Sequence, residues 1–104
     1  MADVNVADDE VGAPNVALVA NTVKTVGFVD DLSEVRIVQP GGTAAVYACF
    51  VDANHPKAAT VDGKHCYPIL PNVGIPTTLP VRTDGPTLIS LICSATATVW
   101  VTAT

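Results

Sequence analysis

The longest apolar runs of this chain are Val46-Tyr47-Ala48-Cys49-Phe50-Val51 and Leu88-Ile89-Ser90-Leu91-Ile92-Cys93. Both are as long as ordinary β-strands and far shorter than the roughly 18 apolar residues that a membrane-spanning helix needs. Odd and even positions are apolar alike, so each run would bury both of its faces as a strand. We expect both runs to lie in the centre of a sheet or at a subunit contact.

Outward from these two runs, short β-branched and aliphatic stretches alternate with turn residues, and no stretch keeps a helical period. Val35 and Ile37 alternate with Glu34 and Arg36, which predicts a strand with one buried and one wet face. The pattern predicts a single all-β domain over residues 16–104, a β-sandwich or barrel-like fold of about seven to eight short, mainly antiparallel strands. The predicted strands are 16–20, 22–29, 33–39, 43–51, 64–70, 77–82, 86–93 and 97–102.

The first part of the chain, residues 1–15, has a different character. It holds four of the acidic residues: Asp3, Asp8, Asp9 and Glu10. Gly12 and Pro14 interrupt any regular element, so we expect an acidic N-terminal arm that orders on a partner. Val4, Val6 and Val11 are its predicted partner contacts. With neither a basic n-region nor an apolar h-region, the first residues are not expected to be a secretory signal.

The charge balance restricts the partners. Only 14% of the residues are charged and 49% are hydrophobic, whereas soluble domains carry about 25% charged residues. We therefore expect part of the surface to be covered by protein, either other subunits of a homo-oligomer or a different chain. The net charge of −5 and the absence of a basic patch argue against nucleic acid, and no membrane contact is expected.

Trp100 is a further predicted partner contact. It lies in Thr98-Val99-Trp100-Val101-Thr102, where Val99 and Val101 share one face of a strand and Trp100 joins two threonines on the other. A tryptophan on such a face is an attractive interface anchor. Burial against the domain's own second sheet is the equally open alternative.

No metal, cofactor or catalytic site is expected. Cys49, His55, His65 and Cys66 include the ligand types that zinc prefers, but no C-x-x-C motif occurs. His65 and Cys66 are neighbours within the predicted strand 64–70, so their side chains would point to opposite faces. The same reasoning separates them as a catalytic pair, and G-x-S-x-G is absent. Cys49, Cys66 and Cys93 are expected to be reduced core residues, and the protein is not expected to be an enzyme.

A series of short motifs carries a resemblance to a known group of proteins. In chain order these are Glu34-Val35-Arg36-Ile37-Val38, Gly42-Thr43-Ala44-Ala45-Val46-Tyr47, His65-Cys66-Tyr67-Pro68-Ile69-Leu70-Pro71, Leu79-Pro80-Val81 and Leu88-Ile89-Ser90-Leu91-Ile92. Together they resemble small all-β virion structural proteins of tailed bacteriophages, over residues 16–104. Every matching position is structural.

The resemblance implies a structural virion protein, with capsid decoration (cement) as the leading role and a tail or fibre component next. It implies a major capsid protein or another virion protein as partner, a homo-oligomer that we expect to be a trimer, and a place in the virion after synthesis in the host cytoplasm. A non-catalytic carbohydrate-binding β module is the remaining alternative.

Overall fold

In the computed structural model of this protein, all regular structure among the described residues is β-strand. These residues are 3–6, 10–28, 34–51, 57–71, 76–80 and 87–103. They form nine strands: β1 (Val4–Val6), β2 (Gly12–Leu18), β3 (Lys24–Phe28), β4 (Glu34–Gly41), β5 (Val46–Val51), β6 (Tyr67–Ile69), β7 (Thr77–Pro80), β8 (Thr87–Cys93) and β9 (Ala97–Ala103). The predicted all-β class is confirmed, and every predicted strand has a counterpart with bounds that differ by a few residues.

The strands form two sheets. Sheet I has the order β1-β3-β8-β5-β6, and sheet II has the order β2-β9-β4-β7. Neighbours pair antiparallel in both sheets except for β1 and β3, which are parallel. β5 and β8 are paired with each other and have a further neighbour on the opposite side, so the central position expected for the two apolar runs is confirmed.

The main core lies between the two sheets and follows the strand period of two. In sheet II, Val99 and Val101 of β9 are fully buried beside Ile37 of β4, and in sheet I, Ile89 and Leu91 of β8 are fully buried. Burying such a side chain contributes about 1.5 to 3 kcal/mol each to folding. The fold is therefore a sandwich of two sheets closed over one hydrophobic layer.

A second, smaller core covers the outer face of sheet I. Residues 57–66, named here the covering segment, lie over β5 and β8, where Ala59 packs with Cys49 and Ile92. The backbone N–H of Ala59 donates a 2.9 Å hydrogen bond to Oγ of Ser90, which is fully buried. The polar residue inside the apolar β8 run is thus used to hold the cover in place. The chain itself, rather than another subunit, covers this part of the second face of β5 and β8.

The described part of residues 1–15 forms paired strands rather than an N-terminal arm. β1 pairs with β3 from Val4 to Val6, and β2 pairs with β9 from Gly12 onward. Residues 1–2 and 7–9, which include Asp8 and Asp9, lie outside the described residues. The nine strands exceed the predicted number because β1 was not expected.

The features that predicted an arm are compatible with strands here. The Asp3 carboxylate accepts hydrogen bonds from the backbone N–H of Thr25, at 3.0 Å, and from its hydroxyl, at 3.2 Å. Pro14 lies at a β-bulge between Ala13 and Val16 on an edge strand, where a missing N–H is tolerated. A Cβ on Gly12 would overlap the backbone of β9, so glycine permits the close approach of the two strands.

The core assignment predicts that truncating Phe50 greatly lowers the stability of the fold, because its side chain is buried between the sheets. Phe50→Ala should lower the free energy of unfolding by about 3 to 5 kcal/mol, because it removes apolar contacts and leaves a cavity. Leu70→Ala, at a leucine that is 59% exposed, should change it by less than about 0.5 kcal/mol. Urea denaturation measures both. Equal stability of the two variants would contradict the assignment.

The pairing of β1 predicts that the N-terminus contributes to stability. Deleting residues 1–10 should lower the free energy of unfolding by at least about 1.5 to 3 kcal/mol, the value of a buried valine, because Val6 is only 3% exposed. Val6→Asp should reproduce most of that loss, and Val11→Asp, at a valine that is 73% exposed, should not. Thermal unfolding of all three tests this. A deletion variant as stable as the full chain would contradict this pairing and support the predicted N-terminal arm.

Candidate functional site

The outer face of sheet II is a surface with little charge. Strand alternation turns Trp100 outward on β9, next to Val38 of β4 in the pairing register. Trp100 is 43% exposed, and it is flanked on its own strand by the outward Thr98 and Thr102. Among the described side chains of this face, the charged groups are Glu34 and Arg36, which form a 2.8 Å ion pair with each other. A neutral surface centred on an aromatic ring results.

The bulge in β2 positions the indole of Trp100. Its Nε1–H donates a 3.0 Å hydrogen bond to Oδ1 of Asn15. Asn15 has φ of 55°, a left-handed conformation that asparagine adopts more readily than most residues. Of the two alternatives for Trp100, burial between the sheets is excluded, because Val99 and Val101 occupy the inner face of β9. The exposed position keeps Trp100 available to a partner.

The predicted partner contacts of the N-terminal region divide into three cases. Val6 is buried in the core, so the prediction is wrong at this residue: its side chain faces the interior of the sandwich. Val4 is half-buried and packs against the same core. Val11, just before β2, is the most exposed large hydrophobic residue among those the structure describes, and it stays a predicted contact together with Trp100.

A cluster of potential ligands lies at the other side of the molecule. Cys49 points outward from β5, and His65 and Cys66 end the covering segment just before β6. One ligand atom from each of the three residues lies within 4.8 Å of the other two. Cys49 is buried, Cys66 is half-buried and His65 is exposed. The cluster therefore extends from the buried sulfur of Cys49 to the solvent-exposed ring of His65.

The expectation that His65 and Cys66 point apart is wrong, because they do not lie on a strand. β6 begins only at Tyr67, and two turns precede it, in which Gly63 N–H donates to the Thr60 carbonyl at 3.0 Å and Cys66 N–H donates to the Gly63 carbonyl at 3.2 Å. Asp62-Gly63 is a turn signal that could have revealed this in the sequence. The proximity of His65 and Cys66 to Cys49 is a long-range contact, and no pattern in the neighbouring sequence signals it.

The electrostatics of the cluster keep Cys49 protonated at neutral pH. Burial, with the neighbouring Cys66 as a smaller cause, raises the pKa of the Cys49 thiol to about 12. The thiol contacts the Lys57 carbonyl at 3.5 Å, and the Cys66 thiol contacts the Thr60 carbonyl at 3.8 Å. A thiol in this state is a poor nucleophile, since the thiolate is the reactive form.

An open cavity of about 330 Å³ adjoins the cluster, with Lys57, Lys64 and Tyr67 in its lining. On the outer face of the same strand as Cys49, the Tyr47 hydroxyl donates a 2.7 Å hydrogen bond to Asp62. That bond raises the pKa of Tyr47, with burial and the carboxylate charge as smaller causes. It ties a second point of the covering segment to β5.

The third cysteine does not join the cluster. Cys93 is buried on the inner face of β8, where its thiol contacts the Ala44 carbonyl at 3.7 Å. His55 lies outside the described residues. The described cysteines are free, and two of the three, Cys49 and Cys93, are buried as expected.

Comparison of the chain with models of known protein families, with curated proteins and with solved structures gave no match. Within the described ranges, no helix is long and apolar enough to cross a membrane.

The bulge geometry predicts a specific order of stability at Asn15. Asn15→Gly removes the acceptor of the Trp100 N–H but tolerates the left-handed backbone. Asn15→Ala removes the same acceptor and adds the strain of a Cβ there, so it should be less stable than the glycine variant by roughly 1 kcal/mol. Trp100 is the single tryptophan of the chain, so its fluorescence reports unfolding directly. An alanine variant as stable as the glycine variant would disprove the left-handed position.

Proposed function

We propose that this protein is a capsid decoration protein of a tailed bacteriophage, which binds the head shell through the outer face of sheet II and performs no catalysis. The observation that carries the proposal is the neutral outer face centred on Trp100, which is 43% exposed and held by Asn15. The resemblance of the sequence to virion structural proteins is the reason for proposing a phage capsid as the assembly. The partner is a major capsid protein or another virion protein.

The character of this face suits a protein partner. Tryptophan is over-represented among the few residues that contribute most of the energy of an interface, and such residues lie where charge is scarce. Glu34 and Arg36 neutralise each other, so the described part of the face carries no net charge. Attachment through it should depend only weakly on ionic strength.

The strand edges bear on self-association, which is part of the proposal, with a trimer favoured by the resemblance. β2 is an edge strand of sheet II, and Pro14 and the bulge between Ala13 and Val16 interrupt its hydrogen-bonding edge. Such devices prevent one sheet from continuing into another. Subunits of a homo-oligomer would therefore meet through side-chain surfaces, for which Val11 and Trp100 are the exposed candidates, rather than through strand addition at β2.

A non-catalytic role is supported by the state of Cys49. Burial, with Cys66 as a smaller cause, raises the pKa of this thiol to about 12, so the free thiol is a poor nucleophile, because reactive cysteines have lowered pKa values.

The proposal predicts that Trp100 is required for attachment to particles. The test adds purified full-length protein to particles of the encoding phage from which its gene has been deleted, and measures binding by co-sedimentation. The wild-type protein should saturate heads in a fixed ratio. Trp100→Glu should weaken binding about 30-fold or more, the value of a 2 kcal/mol anchor. Leu70→Glu, which adds the same charge at an exposed leucine of sheet I's edge region, should bind normally.

The other outcomes separate the alternatives. Binding to purified tails but not to heads would replace decoration with a tail or fibre role. Binding to neither, combined with quenching of Trp100 fluorescence by a host polysaccharide, would replace it with a carbohydrate-binding module. Equal binding of Trp100→Glu and wild type to heads would leave the capsid role and remove sheet II as the binding face.

A further inference from the structure

We propose that Cys49, His65 and Cys66 form a binding site for one Zn²⁺ ion, in which two thiolates and one imidazole are protein ligands and the fourth position opens to the adjoining cavity. The site lies on the outer face of sheet I, where the covering segment meets β5. It is independent of the proposed virion function, which involves sheet II.

The distances fit the ion. Tetrahedral zinc with Zn–S bonds of about 2.3 Å and Zn–N bonds of about 2.0 Å places its ligand atoms about 3.5 to 3.8 Å apart. The three ligand atoms already lie within 4.8 Å of one another. A contraction of about 1 Å would therefore complete the site. Cys66 and His65 can make it, because both lie in a turn at the surface.

The hydrogen bond of His65 prepares its ring as a ligand. Nε2 lies 2.9 Å from the Ala58 carbonyl oxygen, which can only accept, so Nε2 carries the proton in this bond. In the neutral ring the lone pair is then on Nδ1. Metal-binding histidines almost always donate their other N–H to a carbonyl or carboxylate in this way, which fixes both the tautomer and the ring orientation.

The turn at Gly63 lets the imidazole ring of His65 pack closely against the backbone. An ideal Cβ on Gly63 would lie 2.9 Å from Cε1 of His65 and would overlap the Thr60 hydroxyl. Only glycine leaves this space for the imidazole. The two consecutive turns through Gly63 then return Cys66 toward β5, so the local sequence and the ligand positions agree.

The charges of the site balance when the ion is bound. Each of the two thiols releases one proton to solvent as its sulfur binds Zn²⁺, and no electron transfer takes place. Two thiolates and one divalent cation have no net charge. Lys57 and Lys64, the charged residues of the cavity lining, therefore face a neutral centre. Two soft sulfur ligands and an imidazole favour Zn²⁺ over Mg²⁺ or Ca²⁺, which take oxygen ligands.

The ion would fasten the covering segment to β5. Cys49 belongs to the sheet, whereas His65 and Cys66 belong to the segment that shields Ile92 and Cys49 from water. A metal that binds the folded chain and not the unfolded chain stabilises it by mass action. Water, or a donor atom from outside the chain, would fill the fourth position.

The test uses the full-length protein, reduced and handled without oxygen, and titrates it with Co²⁺ and then with Zn²⁺. One equivalent of Co²⁺ should produce the visible bands of tetrahedral cobalt and the ultraviolet bands of thiolate-to-cobalt charge transfer, and Zn²⁺ should remove both. His65→Ala and Cys66→Ala should weaken binding by more than the 10- to 100-fold that loss of an outer partner costs. Cys93→Ala, a cysteine of the inner core, should bind as tightly as wild type.

A second measurement separates a lost ligand from a lost fold. Zn²⁺ should raise the unfolding temperature of wild type and of Cys93→Ala, but not that of Cys66→Ala, which should remain folded by circular dichroism because Cys66 is only half-buried. Three results would overturn the proposal: no thiolate-to-cobalt bands in the reduced protein, equal affinity of Cys66→Ala and wild type, or a protein isolated with Cys49 and Cys66 joined in a disulfide.

Discussion

Strands β5 and β8 carry apolar side chains on both faces, and both faces must be removed from water for these strands to be stable. The inner faces are covered by sheet II, and the outer faces by the covering segment, which places Ala59 against Cys49 and Ile92. A sandwich of two sheets alone would satisfy only half of this requirement. The covering segment is therefore part of the core, and its turns and its hydrogen bond to Ser90 follow from that role.

Local pattern was sufficient for most of the fold. The alternation of Val35 and Ile37 with charged neighbours, and the two-sided apolar runs, predicted the correct faces and the central strands because burial in a sheet has a period of two. β1 was missed because Val4–Val6 is three residues long and contains only two valines. Its parallel pairing with β3 depends on residues about twenty positions away, and nothing near Val4 signals that partner.

The candidate sites also differ in how far the local sequence could predict them. Trp100 could be chosen from its own strand, because the threonines beside it mark an outward face, although the Asn15 bond across to β2 could not be read from the sequence. The sequence argues against the Cys49, His65 and Cys66 cluster for a local reason, the adjacency of His65 and Cys66 on a strand. The two turns through Gly63 instead delay the start of that strand to Tyr67. Ligand sets joined by tertiary contacts carry no spacing motif, so sequence reasoning has nothing to match.

The position of β9 has a consequence for how the chain folds. This strand, the last of those described, pairs with both β2 and β4 in the middle of sheet II. Sheet II therefore cannot assemble until residues 97–103 have left the ribosome, and until then β2 and β4 lack the strand that pairs with the backbone edge of each. Folding is expected to be late and slow, since long-range strand pairing must precede closure of the sandwich. Newly made chains would be most prone to aggregation in that interval.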